Sequence, residues 1–406
     1  MRGVLRALKW MGIAVFALLL GGLVFALIRF GPVPLTLAWA DFEPNGPEAS
    51  PAIGASFSRE DALRTLGEEV YGAWPDASAT RVLNRSTREW RGHTLLTVSL
   101  EADATFGEQT RTTRPFTVSL VAPAPDAPLV LWASFSPRGD AFRAAGLPET
   151  DMPEVAEGAL HFVFGRYIQT PPVESILAAG YGFAVVHPPE FLPDNSNSVA
   201  ELERLASGHG DPDTRWGAVA AWAWGMSRVL DALDWPAPVI AAGHSRYGKA
   251  ALLAAAHDRR FAGAIAHQSG TGGASLSKAK RGESVADITA SYPHWFAPSY
   301  RESALSVDQH HLLAAVAPRP VLLGNARRDV WSDPNGALRA ARGASEAYGI
   351  PPPERLPDGF GDYDPTPPLA LWMRPGTHGI VEEDWPAFLQ WMRAHFPAQG
   401  WLPTEP

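Results

Sequence analysis

Residues 239–253 read Val239-Ile240-Ala241-Ala242-Gly243-His244-Ser245-Arg246-Tyr247-Gly248-Lys249-Ala250-Ala251-Leu252-Leu253. A short apolar run opens the stretch, a glycine breaks it, and an Ala/Leu-rich helical pattern follows. This is strand, tight turn, helix. A serine at the apex of such a turn projects its hydroxyl above the sheet edge. The next backbone N–H groups and the helix N-terminus face the same point, where they could hold an oxyanion. The spacing is G-x-S-x-x-G, because Tyr247 stands where a second glycine is usual. Ser245 acting only as a helix N-cap is the competing explanation, since the same pattern arises for capping.

Working outward, comparable apolar runs recur at residues 129–132, 183–186, 262–266 and 321–323, with helical patterns between them. Such runs fit strands buried on both faces, which predicts an α/β fold with a mostly parallel sheet and helices on each side. Residues 216–233 form one clear helix of that set. Upstream, 95–100 and 116–121 predict antiparallel strands at a sheet edge. Residues 41–75 are rich in Pro, Gly and acids and read as a linker, leading into a helical stretch over 60–71. The expected division is 1–40 as a cytoplasmic stub and membrane anchor, 41–127 as linker and extension, and 128–400 as the main domain.

Composition narrows the function. The 406 residues carry a net charge of −9 without Lys/Arg blocks, which argues against a nucleic-acid partner. The chain has no Cys, so thiolate nucleophiles, disulfides, zinc-thiolate and iron–sulfur sites are excluded. Fifteen Trp hint at flat sugar-binding faces, although most are expected to be ordinary core or surface residues. At the N-terminus Arg2, Arg6 and Lys9 precede an uncharged run over 11–28, closed by Arg29. That length exceeds a secretory h-region of ~7–15 residues and suits a transmembrane helix of ~17–25. The heavier basic flank before the run predicts an inner-membrane anchor with the catalytic body in the periplasm or outside. A signal peptide cleaved near Ala38-Trp39-Ala40, giving a secreted body, is the alternative.

A serine nucleophile needs a base and an orienting acid, and α/β hydrolases supply them in the order Ser, acid, His. After the run at 321–323 comes a loop with Asp329 and Asp333. Asp329 is the first choice, because Asp333 before Pro334 reads equally well as a turn or N-cap residue. His378 lies in a Gly-rich loop ahead of a helix over 383–395, placed to hold an imidazole over Ser245. His310-His311 lack a carboxylate at ligand spacing, so no metal site is expected. His244 reads as packing or polar support. Gly270-Thr271-Gly272-Gly273 satisfies no nucleotide-binding pattern, and no cofactor is expected.

Gly243-His244-Ser245-Arg246-Tyr247-Gly248-Lys249 resembles the G-[CH]-S-R-x-G-K signature of the glucuronoyl esterases, carbohydrate esterase family 15, within the α/β-hydrolase superfamily. The resemblance continues through residues 216–233, 268–274, 282–283, 292–296, 308–320 and the loops of Asp329 and His378. It implies a three-layer α/β-hydrolase sandwich, Ser245 as nucleophile, His378 as base and Arg246 at the oxyanion. It further implies that Lys249, Glu283 and Trp331 line a sugar pocket, and that the substrate is a carbohydrate ester of (4-O-methyl-)glucuronic acid. Two departures stand out. Many members carry the triad acid at the position of Gln268, which cannot hold a charge, so Asp329 takes that role by analogy with members using a later strand. The run 133–138 also lacks the family's Asn-Phe-x-Gly-Asn-like pattern. An acetyl xylan or general short-chain esterase, and a catalytically silent carbohydrate-binding scaffold, are the alternative functions. Oligomeric state is not legible.

Overall fold

The computed structural model describes residues 9–22, 50–54, 56–278 and 281–398. Its strands are β1 (Ala77–Trp90), β2 (His93–Phe106), β3 (Gln109–Thr112), β4 (Phe116–Val121), β5 (Leu129–Ala133), β6 (Gly182–Val186), β7 (Val239–His244), β8 (Phe261–His267), β9 (Val321–Ala326) and β10 (Leu369–Arg374). They form one sheet in the order β1-β2-β4-β6-β5-β7-β8-β9-β10, with β3 on β2. From β6 to β10 all neighbours are parallel, whereas β1, β2 and β4 join as antiparallel ribbons through the β4–β6 pair. The sheet is therefore mixed and mostly parallel.

Alternate residues of the central strands enter two separate cores, which is why these strands read as unbroken apolar runs. Leu129, Leu131 and Ala241 pack on one face with the helices Ala218–Leu233 and Arg246–His257. Val130, Trp132, Ile240 and Ala242 pack on the other with Asp384–His395. Trp132, Trp216, Trp222, Trp224, Trp372, Trp385 and Trp391 are fully buried in these layers, so much of the tryptophan content is core. Because β7, β8, β9 and β10 run parallel, their C-terminal ends open on one edge, where crevices of such sheets hold ligands.

Residues 9–22 are helical and exposed, with Trp10, Phe16, Leu18 and Leu19 each more than 60% accessible. Among the described residues no helix is long and apolar enough to cross a membrane. The second part of the apolar run, 23–28, and the Ala38-Trp39-Ala40 site lie outside the described residues.

Candidate active site

Strand β7 ends at His244, and Ser245 turns sharply at φ 54°, ψ −123° before the helix Arg246–His257 begins. For a residue with a side chain such a conformation costs about 1–3 kcal/mol and persists only where its surroundings impose it. Here the Ser245 N–H donates to the His267 carbonyl at 2.8 Å, and its own carbonyl accepts from Lys249 N at 3.1 Å. The departure from G-x-S-x-G now has a physical reason. A Cβ on Gly243 would lie 2.4 Å from the Tyr247 carbonyl oxygen, and one on Gly248 would lie 3.1 Å from Gly243 O. The close approach thus falls at Gly248, one residue later, while the Tyr247 ring is buried against Phe135 and Trp222. The first N–H groups of the helix, from Arg246 onward, have no carbonyl one turn earlier to bond and so remain as donors at the end next to Ser245.

Two neighbouring strands deliver the residues expected as base and acid. His378 follows β10, Asp329 follows β9, and His378 Nδ1 lies 2.8 Å from Asp329 Oδ2. Asp329 is fully buried, which would raise its carboxyl. The charge of His378 and hydrogen bonds from His378 and Ser332 outweigh burial and hold it below the usual carboxylate value. An ionised carboxylate can only accept, so Nδ1 carries the proton and Nε2 keeps its lone pair. The Ser332 hydroxyl lies 3.4 Å from the same Nδ1. Asp333 does other work: at φ 55° it caps the helix Pro334–Tyr348, accepting from Gly336 N at 3.0 Å.

Behind the imidazole lies a buried polar string. The His378 ring packs on His244 at 4.5 Å between centroids, and His244 Nδ1 lies 3.1 Å from His267 Nδ1. His267 Nε2 in turn lies 3.1 Å from Asp384 Oδ1, which also accepts from Trp372 and Arg374. Burial, the charges of His378 and His267, and those of Arg374 and Arg246 keep His244 neutral, well below the ordinary imidazole value. Spacing does not reveal the His267–Asp384 end of this string, because the two sit more than a hundred residues apart and only the β8–β9–β10 order joins them.

The Arg246 guanidinium pairs with Asp194 and lies over the rings of Phe135 at 5.2 Å and Trp295 at 4.9 Å. Asp194 also accepts from His294 Nε2 at 3.0 Å and Trp295 Nε1 at 2.7 Å. Burial works against its ionisation, but His294, Arg246 and Trp295 together hold it below the ordinary value. Lys249 is buried, its ammonium bonded to the carbonyls of Ser269 and Thr271 and 5.9 Å from the Trp295 ring centroid. Glu283 and Trp331 are brought side by side by a bond from Glu283 N to Trp331 O at 2.8 Å. His310 and His311 open the helix Gln309–Val316, where Asp308 N donates to His311 Nδ1. Among the described residues no group of three or more His, Asp or Glu could hold a metal ion.

A family model described as glucuronyl esterase of fungi matches residues 210–350, the stretch holding Ser245, Gln268 and Asp329. A glucuronoyl esterase from Solibacter usitatus superposes with a TM-score of 0.70 at 27% identity, covering 87% of this chain and 99% of that one. The chain is thus similar to glucuronoyl esterases, the enzymes of carbohydrate esterase family 15. A family 15 glucuronoyl esterase from Teredinibacter turnerae gives a TM-score of 0.65 at 28% identity, over 82% of this chain and 83% of its own. In sequence, a carbohydrate esterase of an unknown prokaryotic organism is 34% identical over 247 residues, 55% of each chain. A 4-O-methyl-glucuronoyl methylesterase of Schizophyllum commune is 32% identical over 239 residues, 49% of this chain and 60% of that enzyme. The chain thus spans roughly half the length of the curated relatives it matches, and it shares its α/β-hydrolase architecture with the solved neighbours.

Proposed function

We propose that the chain is a serine carboxylic ester hydrolase acting on esters of (4-O-methyl-)glucuronic acid. The observation that carries this reading is the Asp329–His378 pair, whose imidazole packs on His244, the residue preceding the strained Ser245 at the end of β7. His378 Nε2 takes the Ser245 proton as Oγ attacks the ester carbonyl, and the N–H groups from Arg246 onward receive the oxyanion. Asp329 holds the imidazole and balances the charge it gains. The proton passes to the departing alcohol, leaving an acyl-serine that water opens by the same route. Arg246 and Lys249, both packed against Trp295, place positive charge beside the acyl side, which suits a uronate ring with its oxygens. Glu283 and Trp331, held together by the bond from Glu283 N to Trp331 O, would supply the adjoining wall.

The test compares hydrolysis of a methyl glucuronate ester and an acetylated xylose by the full chain, with Ser245→Ala as control. A serine-dependent preference for the uronate is expected. Activity confined to the acetate would leave a short-chain esterase, and loss of both would leave a silent scaffold. We also infer membrane attachment through the apolar run 11–28 with the body exported, supported by its uncharged character and its basic N-terminal flank. Release of the chain from membranes by alkaline carbonate would overturn that inference.

A further inference from the structure

Gln268 occupies a backbone position that few side chains tolerate. It directly follows β8 at φ 47°, and its N–H is tied to the Gly324 carbonyl of β9 at 2.8 Å. Strain of this kind persists where the site requires it. The side chain is buried, and its amide spans the loop of the base: Nε2 donates to Thr377 O at 3.3 Å, and Oε1 accepts from Gly379 N at 2.8 Å. These two contacts bracket His378 on either side. Arg374 reinforces them, donating to Thr377 O at 3.0 Å and to Gly379 O at 2.9 Å while paired with buried Asp384. A glycine-containing loop would otherwise sample several conformations, and a misplaced imidazole costs rate out of proportion to the displacement.

We propose that Gln268 is a positioning residue for His378, acting through the backbone of residues 377–379. The inference deepens the esterase reading and rests on it. An amide suits the task and a carboxylate does not, since one atom must donate while the other accepts and a carboxylate only accepts. The negative charge on the imidazole then comes from Asp329, and the neutral residue at the end of β8 sets where the ring sits.

The experiment compares the full chain with its Gln268→Met and Gln268→Glu variants. Met keeps length and volume but makes no hydrogen bond; Glu keeps the acceptor for Gly379 and loses the donor for Thr377. Each protein is assayed for kcat and KM on a methyl glucuronate ester, for the rate at which a serine-directed phosphonate labels Ser245, and for its thermal midpoint. Gln268→Met is expected to lose about 10–100-fold in kcat with KM within about threefold, and the labelling rate should fall in parallel. Gln268→Glu should also fall below the unaltered kcat, since it keeps the bond from Gly379 N but sets an acceptor against the Thr377 carbonyl, and it carries the comparison if the Met variant does not fold. A lowered thermal midpoint with kcat and labelling unchanged would overturn the proposal and leave a structural amide. Absence of serine-dependent turnover in the unaltered chain would instead sink the esterase reading, and the labelling rates would still report on Gln268.

Discussion

Asp329 and Asp333 stand four residues apart in one loop, yet the fold uses them for different chemistry. Asp329 faces His378 Nδ1, and Asp333 faces the first turn of the next helix. Replacing Asp329 by Asn removes the charge that stabilises imidazolium and favours the wrong tautomer, so kcat should fall by about 10⁴. Asn caps a helix about as well as Asp, so Asp333→Asn should stay within about tenfold of the unaltered rate. Steady-state kinetics of the two variants on one uronate ester decide the matter, and equal losses would sink the assignment. Residue type and loop were legible in the sequence here, while the choice between two neighbours needed the ring geometry. Asp194 was not legible at all, because its partners Arg246, His294 and Trp295 come from distant stretches and no spacing links them.

At the level of elements, the turn after β7 combines a strained serine with two glycines of unequal constraint. A methyl group on Gly243 would meet backbone, Tyr247 O at 2.4 Å and Tyr247 C at 2.5 Å, neither of which can move without reshaping the helix start. On Gly248 it would meet Gly243 O and Ser269 Cβ at 3.1 Å, contacts that a small shift relieves. Gly243→Ala should therefore cost several kcal/mol and most of the activity, and Gly248→Ala about 1–3 kcal/mol. Thermal and urea unfolding of the two variants check the order, and a Gly248 variant less stable than the Gly243 variant would contradict the packing. The strands flanking this turn were readable because both faces are buried and their residues are uniformly apolar. β1 was not: it shows solvent almost every side chain but Trp90, so no hydrophobic alternation marks it. β10 was hidden for another reason, ending in the buried cation Arg374, whose partner Asp384 becomes visible only in the folded chain.

Across the whole molecule, several histidines are stored neutral inside an acidic protein, and this sets how it meets low pH. Burial, with the nearby Arg59 cation, holds His257 at about 3 beneath the stacked Trp74 ring; burial and His311 hold His310 at about 3, and His244 also lies well below its ordinary value. Unfolded, each would take a proton below about pH 6.5, so the unfolded chain binds more protons than the native one between that pH and about 3. Each such group lowers stability by up to about 1.4 kcal/mol per pH unit across that window, as pH falls. Buried Asp384 acts later. Its carboxyl is held at about 2 because His267, Arg374 and the Val381 N–H outweigh burial, so its contribution is present above the ordinary 3.8 and fades only below it. Stability measured by urea unfolding should therefore fall steadily from about pH 6.5 toward 4, before any carboxylate of this kind titrates. Replacing His257 by Gln should flatten that slope by about one proton, whatever it does to stability at pH 7. An unchanged slope would mean that His257 already carries its proton in the native state, and that the stack with Trp74 holds a cation.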